Sequence, residues 1–220
     1  MKKAGGRRQE AGGRLVLPRL YAIVDAGRFA GHRKPASALL RFVEELLAGG
    51  ATLLQYRNKQ GGEREILEQA RQLRRVCAGI RLIMNDRADL CLAAGCDGVH
   101  VGQEDLSPES ARAVVGDRLW VGVSTHSVKQ VRAAGKGPAD YVAIGPVFAT
   151  SSKQDPDPVV GLRGVKAARA ATRKPLVAIG GITRANCRSV IEAGADAVAV
   201  ISDLMTSPRK SVKEFLRILG

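Results

Sequence analysis

Short apolar runs alternate with longer stretches of helical spacing along most of the chain. The runs are 20–25 (LYAIVD), 51–57 (ATLLQYR), 81–86 (RLIMND), 98–102 (GVHVG), 120–125 (WVGVST), 141–148 (YVAIGPVF), 175–181 (PLVAIGG) and 197–202 (AVAVIS). Runs that are apolar throughout, rather than at every second residue, predict strands covered on both faces, as in a parallel sheet. Between them, apolar residues recur at helical intervals: Leu39, Val43 and Leu46 after the first run, Ile66, Ala70, Leu73 and Cys77 after the second, Val212, Phe215 and Leu219 after the last. The pairs Ser107-Pro108 and Ser207-Pro208 predict helix N-caps followed by a first-turn proline. Ser127-x-x-Gln130 predicts a capping box. A small-Asp-x-Val echo at Cys96-Asp97-Gly98-Val99, Ala139-Asp140-Tyr141-Val142 and Ala195-Asp196-Ala197-Val198 marks three helix-to-strand junctions.

Eight strand–helix units predict an α/β fold, a single (β/α)8 TIM barrel. Setting aside residues 1–14 leaves 206 of 220 residues, about 26 per unit, which is short for that fold but sufficient. A doubly wound sheet is the competing architecture. It commonly carries a glycine fingerprint, and neither G-x-G-x-x-G nor a Walker A sequence occurs. Residues 1–14 hold Lys2, Lys3, Arg7, Arg8 and Arg14 with four glycines, and read as a short disordered basic N-terminal tail ahead of a barrel domain over 15–220.

Composition narrows the picture further. Aromatic residues are only 4% of the chain, so the core must be built from Ala, Val, Leu and Ile. No apolar run approaches the roughly 20 residues of a membrane helix, and the basic start lacks the apolar segment of a secretory signal. Cys77, Cys91, Cys96 and Cys187 form no C-x-x-C pair and read as small buried hydrophobes in a reducing cytoplasm. The net charge of +14 suits nucleic acid or anionic small molecules. The basic residues are scattered, and no helix-turn-helix, aromatic platform or zinc-finger spacing accompanies them, so anionic small molecules are the expected partners. A homo-oligomer is compatible with the sequence, which gives no argument for one.

Candidate chemistry collects at the C-terminal ends of the runs, which a barrel gathers on one face. Arg57, Lys59 and Lys153 are cations suited to phosphates. Ser124, Thr150, Ser151 and Ser152 add hydroxyls. Gly180-Gly181 and Ile201-Ser202 offer backbone amides after strands 7 and 8, a usual phosphate position in this fold. Asp86 and Asp105 come from neighbouring strands and suggest Mg2+ bridging to a diphosphate. The bland reading of Asp86 is a helix N-cap and that of Asp105 a loop charge, and the ligand reading is preferred for both. His32, His100 and His126 fall into no nucleophilic triad, so the site reads as one that binds two anions and eases a leaving group away.

These residues carry a resemblance. QYRNK, MNDRADL, DGVHVGQEDL, GVSTH, DYVAIGPVFATSSK, VAIGGIT and GADAVAVIS, over about residues 20–204, resemble the thiamine phosphate synthase family. The resemblance implies a barrel enzyme joining 4-amino-2-methyl-5-hydroxymethylpyrimidine diphosphate to 4-methyl-5-(2-phosphoethyl)thiazole, with release of diphosphate. It implies that Gln55, Tyr56, Arg57, Asn58, Lys59, Asn85, Ser124 and Lys153 hold the pyrimidine diphosphate. Arg57, Lys59, Lys153 and Ser124 would stabilise its departure. Thr150, Ser151, Ser152, Gly181, Ile201 and Ser202 would cradle the thiazole phosphate, and Asp86 and Asp105 would ligate Mg2+. Two alternatives stand beside it: a related thiazole tautomerase, and a basic nucleic-acid-binding protein using the tail as an arm.

Overall fold

The computed structural model describes residues 15–150 and 157–220. Eight strands, β1 (Leu20–Asp25), β2 (Leu53–Arg57), β3 (Arg81–Asn85), β4 (Gly98–Val101), β5 (Trp120–Thr125), β6 (Tyr141–Ile144), β7 (Leu176–Ile179) and β8 (Ala197–Val200), alternate with eight helices. These are α1 (Pro35–Gly49), α2 (Glu63–Val76), α3 (Ala88–Ala94), α4 (Pro108–Val115), α5 (Val128–Lys136), α6 (Gly161–Ala171), α7 (Cys187–Glu192) and α8 (Pro208–Leu219). Each strand pairs in parallel with its sequence neighbour, and β1 pairs with β8 in the register Leu20↔Val198, Tyr21↔Ala199, Ala22↔Val200, closing the barrel. All eight runs expected from the pattern are strands, trimmed by one or more residues at several ends.

The period of two in a strand sorts side chains between two cores. Leu20, Ala22, Val24, Leu54, Tyr56 and Leu82 face outward and pack under the helices. Tyr21, Ile23, Leu53, Ile83, Trp120 and Tyr141 face inward. The inner core tapers: β6 presents Tyr141 and then Ala143, while β8 presents only Ala197 and Ala199. Bulk therefore fills the lower barrel, and small residues leave room at the C-terminal end.

The small-Asp-x-Val echo has a physical cause. Asp97, Asp140 and Asp196 each accept a backbone N–H from the neighbouring strand, of Leu82 at 2.8 Å, Val121 at 2.8 Å and Leu176 at 2.7 Å. Each also pairs with an arginine of the helix leading into that strand, Arg74 of α2, Arg112 of α4 and Arg169 of α6. The same arginines donate to carbonyls just past their own helix ends, such as Ile80, Leu119 and Lys174. One guanidinium thus caps a helix and anchors the next junction. At the corresponding junction before β2, Gly50-Ala51-Thr52 carries threonine in place of the aspartate.

Helix starts agree with the sequence in part. Ser107 accepts from the Ser110 N–H at 3.1 Å, as expected of an N-cap. Ser127 accepts from Gln130 N at 3.3 Å, but the Gln130 side chain reaches His126 N, one residue earlier than a capping box requires. Ser207 makes no side-chain capping bond: its ψ of 75° lies well short of the 155° at which Ser127 caps α5, and α8 starts on Pro208.

Candidate active site

A cavity of about 480 Å3 opens at the C-terminal ends of the strands, and every strand contributes to its wall. Its floor is the top of the inner core, and its rim is the set of loops that follow the strands. From β2, Gln55 and Arg57 point in because they share the inward parity of Leu53. Arg57 is held by Asp25, whose Oδ2 lies 2.7 Å from Nη1. The other Asp25 oxygen accepts the Gly27 N–H at 3.2 Å and caps the 3-10 turn Ala26–Phe29. Asp25 is buried, so it fixes the guanidinium at the mouth rather than merely neutralising it.

Asp86 follows β3 with φ of 62°, a left-handed conformation uncommon outside glycine. Its N–H is held by the His100 carbonyl at 2.8 Å, so the register of β4 helps to hold that turn. Its carboxylate pairs with Lys59. Burial raises the Asp86 pKa to about 6; the Lys59 ammonium opposes that shift, and the nearby Asp105 carboxylate adds to it. Asp105 itself accepts the Gly102 N–H at 2.7 Å. Two carboxylates thus crowd one another beside the Lys59 ammonium. Among the described residues of the cavity wall, Asp86, Glu104, Asp105, Asp157 and Asp203 outnumber Arg57 and Lys59.

On the other side of the mouth, Gly180 and Gly181 turn the chain after β7 with φ of 100° and 63°. A Cβ on Gly181 would lie 2.4 Å from the Ala149 carbonyl oxygen, so the loop after β6 packs directly on this turn. Thr150, Gly181, Ile201 and Ser202 line the cavity, with the Ser202 hydroxyl 3.4 Å from Arg28 Nη2. Beneath both sides lies His100, whose imidazole lies between the Tyr141 hydroxyl and Ser124 Oγ. Burial lowers its pKa to about 4, against the attraction of Asp105, so it is neutral at pH 7.

The cavity therefore gathers Gln55, Arg57, Lys59, Asn85, Asp86, Asp105 and Ser124 on one side and the residues of the Gly181 turn on the other. Ser151, Ser152 and Lys153 lie outside the described residues. Two expected contacts are not on the wall. Tyr56 has the outward parity of its strand, is buried under α2 and donates to Gln69 Oε1 at 2.6 Å. Asn58 serves its own loop, accepting the Gly61 N–H at 2.8 Å. Strict alternation along β2 would have separated Tyr56 from Gln55 and Arg57. Asp25, Tyr21 and Tyr141 were missed; the polar end of the first run was the one available signal for Asp25, and nothing distinguishes the two tyrosines from ordinary core.

A closed barrel whose mouth sets cations and paired carboxylates beside a glycine turn defines an enzyme of phosphorylated small molecules. Residues 20–204 match the family described as thiamine monophosphate synthase. The chain is 62% identical over 206 residues to the thiamine-phosphate synthase of Koribacter versatilis, covering 93% of this chain and 97% of that protein. It is 42% identical to that of Gloeobacter violaceus, covering 94% of this chain but 59% of the longer relative. Among solved structures, thiamine phosphate pyrophosphorylase from Pyrococcus furiosus superposes with a TM-score of 0.80 at 34% identity, covering 91% and 95% of the two chains. The chain belongs to the thiamine monophosphate synthase family. It is a transferase, and its product is thiamine phosphate.

Proposed function

We propose that the two sides of the mouth divide the two substrates between them. Gln55, Arg57, Lys59, Asn85 and Ser124, together with Lys153, take the pyrimidine diphosphate. Thr150, Ser151, Ser152, Gly181, Ile201 and Ser202 take the thiazole phosphate. The observation that carries this reading is the crowded carboxylate pair Asp86 and Asp105, with Lys59 paired to Asp86 and Arg57 on the same cavity wall.

That pair also fits a divalent cation. Among the described residues the wall holds more carboxylates than cations, so a diphosphate is bound better when further positive charge arrives with it. Mg2+ commonly takes one or two carboxylates and completes its shell with water and substrate phosphates. Asp86 and Asp105 would hold it, and it would supply positive charge to the departing diphosphate. The chain's own groups do the rest. Arg57, pinned by Asp25, and Lys59 meet negative charge that grows as the pyrimidine methylene–oxygen bond breaks. The thiazole ring nitrogen then forms the new bond to that carbon, and its phosphate, held across the mouth, fixes the direction of approach. No proton needs to be removed by a side chain. The four cysteines are free and buried, which supports a reducing cytoplasmic setting.

Asp105→Asn tests the reading. Product formation from the two substrates is expected to fall by about two orders of magnitude or more, as for other lost electrostatic groups. Binding of the pyrimidine diphosphate, measured by calorimetry, is expected to require Mg2+, while binding of the thiazole phosphate alone does not. Full turnover in EDTA would overturn the metal assignment.

A further inference from the structure

A chain of hydrogen bonds crosses the interior of the barrel just beneath the cavity. Gln55 Nε2 donates to the Tyr21 hydroxyl at 2.9 Å. The Tyr21 and Tyr141 hydroxyls are 2.9 Å apart. Tyr141 Oη lies 3.1 Å from His100 Nδ1, and His100 Nε2 lies 2.9 Å from Ser124 Oγ. Five strands contribute one residue each, and Tyr21, Gln55, His100 and Tyr141 are all buried. Gly122 makes the crossing fit: a Cβ there would lie 2.1 Å from Tyr141 Cζ and 2.5 Å from His100 Nδ1.

We infer that this chain is a one-way relay, running from the Gln55 amide to the Ser124 hydroxyl, that fixes which hydrogen-bonding groups each end offers to the substrate. The direction follows from counting donors. A tyrosine hydroxyl carries one proton. Tyr21 accepts from Gln55, so its own proton goes to Tyr141. Tyr141 then donates to His100 Nδ1, which must be bare, and the imidazole proton resides on Nε2 and goes to Ser124 Oγ. The Ser124 proton has no acceptor among the described residues and is offered to the cavity. At the other end, Gln55 keeps its carbonyl and its second N–H for the cavity. Only the fully reversed chain satisfies every buried atom equally well. It would turn the Gln55 amide over to present two N–H groups, and it would leave Ser124 only lone pairs to offer.

The consequence for the substrate rests on the proposed assignment of Gln55 and Ser124 to the pyrimidine diphosphate. An aminopyrimidine edge places an amino donor beside a ring-nitrogen acceptor, which matches a carbonyl beside an N–H. A diphosphate only accepts, and so needs the Ser124 proton. The forward direction suits both ends and the reversed direction suits neither. Tyr21, Tyr141 and His100 are therefore positioning residues that set the polarity of two groups they hold apart.

The tautomer of His100 reports the direction without reference to any substrate. In the full-length protein labelled with 15N-histidine, with the His100 signals identified by their loss in His100→Gln, the expected form is Nε2–H with bare Nδ1. An Nδ1–H or doubly protonated ring overturns the relay. Kinetics then test the consequence. Tyr141→Phe is expected to lower kcat/KM for the pyrimidine diphosphate by about 10- to 100-fold, the size of leaving buried partners unmatched, with the thiazole phosphate KM unchanged. His100→Gln, which keeps one acceptor and one donor, is expected to retain more activity than His100→Leu. Equal losses in those two variants, or unaltered kinetics in Tyr141→Phe, overturn the positioning role. An Nε2–H ring with a Tyr141→Phe loss confined to the thiazole phosphate supports the relay's direction and overturns the assignment of the two pockets.

Discussion

Single residues decide most of the chemistry at the mouth, and several do so by being held rather than by reacting. Asp25 aims Arg57, and Gly122 leaves the space in which Tyr141 and His100 meet. The buried His100 ring has a consequence for stability. Its folded pKa of about 4 lies below the usual value of 6.5, so the unfolded chain takes up the proton first as pH falls. The stability contributed by the neutral His100 ring is therefore complete above about pH 6.5 and is lost between there and about pH 4, by roughly 3 kcal/mol in the limit, while Asp86, with its pKa raised to about 6, acts in the opposite sense over part of that range. Urea titrations across this range are expected to show a steeper decline for the wild type than for His100→Gln. Gly181 carries a different lesson. The sequence suggests an amide approached by phosphate, but the Ala149 oxygen behind it means that even Gly181→Ala must disturb the loop after β6. The inward residues Gln55, Arg57 and Asp86 were legible because polar side chains ended apolar runs. Tyr21 and Tyr141 were not, because a tyrosine in a strand looks the same whether its hydroxyl meets a neighbour or not.

At the scale of elements, the strands were legible for a simple reason. Each is covered on both faces, so its composition alone sets it apart. The short helices α3 and α7 offered too few turns for a periodic signal. The aspartate echo was visible, but its purpose was not, since the arginine partners lie 23, 28 and 27 residues away. Those clamps tie α2, α4 and α6 to the junctions that follow, at the barrel end remote from the cavity. Asp140→Asn is expected to cost about 2–3 kcal/mol, because it leaves the well-covered Arg112 without its charge partner. Asp196→Asn is expected to cost less, since the Asp196 side chain is 37% exposed. Denaturant titration measures both, and kcat in the folded protein is expected to stay at the wild-type value.

The whole molecule separates its tasks between two ends, with recognition above and architecture below. The eight strands and eight helices of the described residues close the barrel by themselves, so removal of residues 2–14 is expected to leave the melting temperature and kcat/KM unchanged, and a fall in melting temperature would show that this segment packs on the barrel. The lost segment carries five basic residues and one acidic residue, so the remaining chain stays strongly cationic and still attracts anionic substrates. The barrel's closure has one more consequence. A helix in this fold runs back from the mouth toward the strand starts, so α8 finishes, and the chain enters β1, on the same lower face. A segment attached after Gly220 would hang beneath the clamps and leave the entrance to the cavity open. The barrel is thus suited to carry a further segment at that end. A fluorescent protein fused after Gly220 is expected to report the enzyme's location without slowing it.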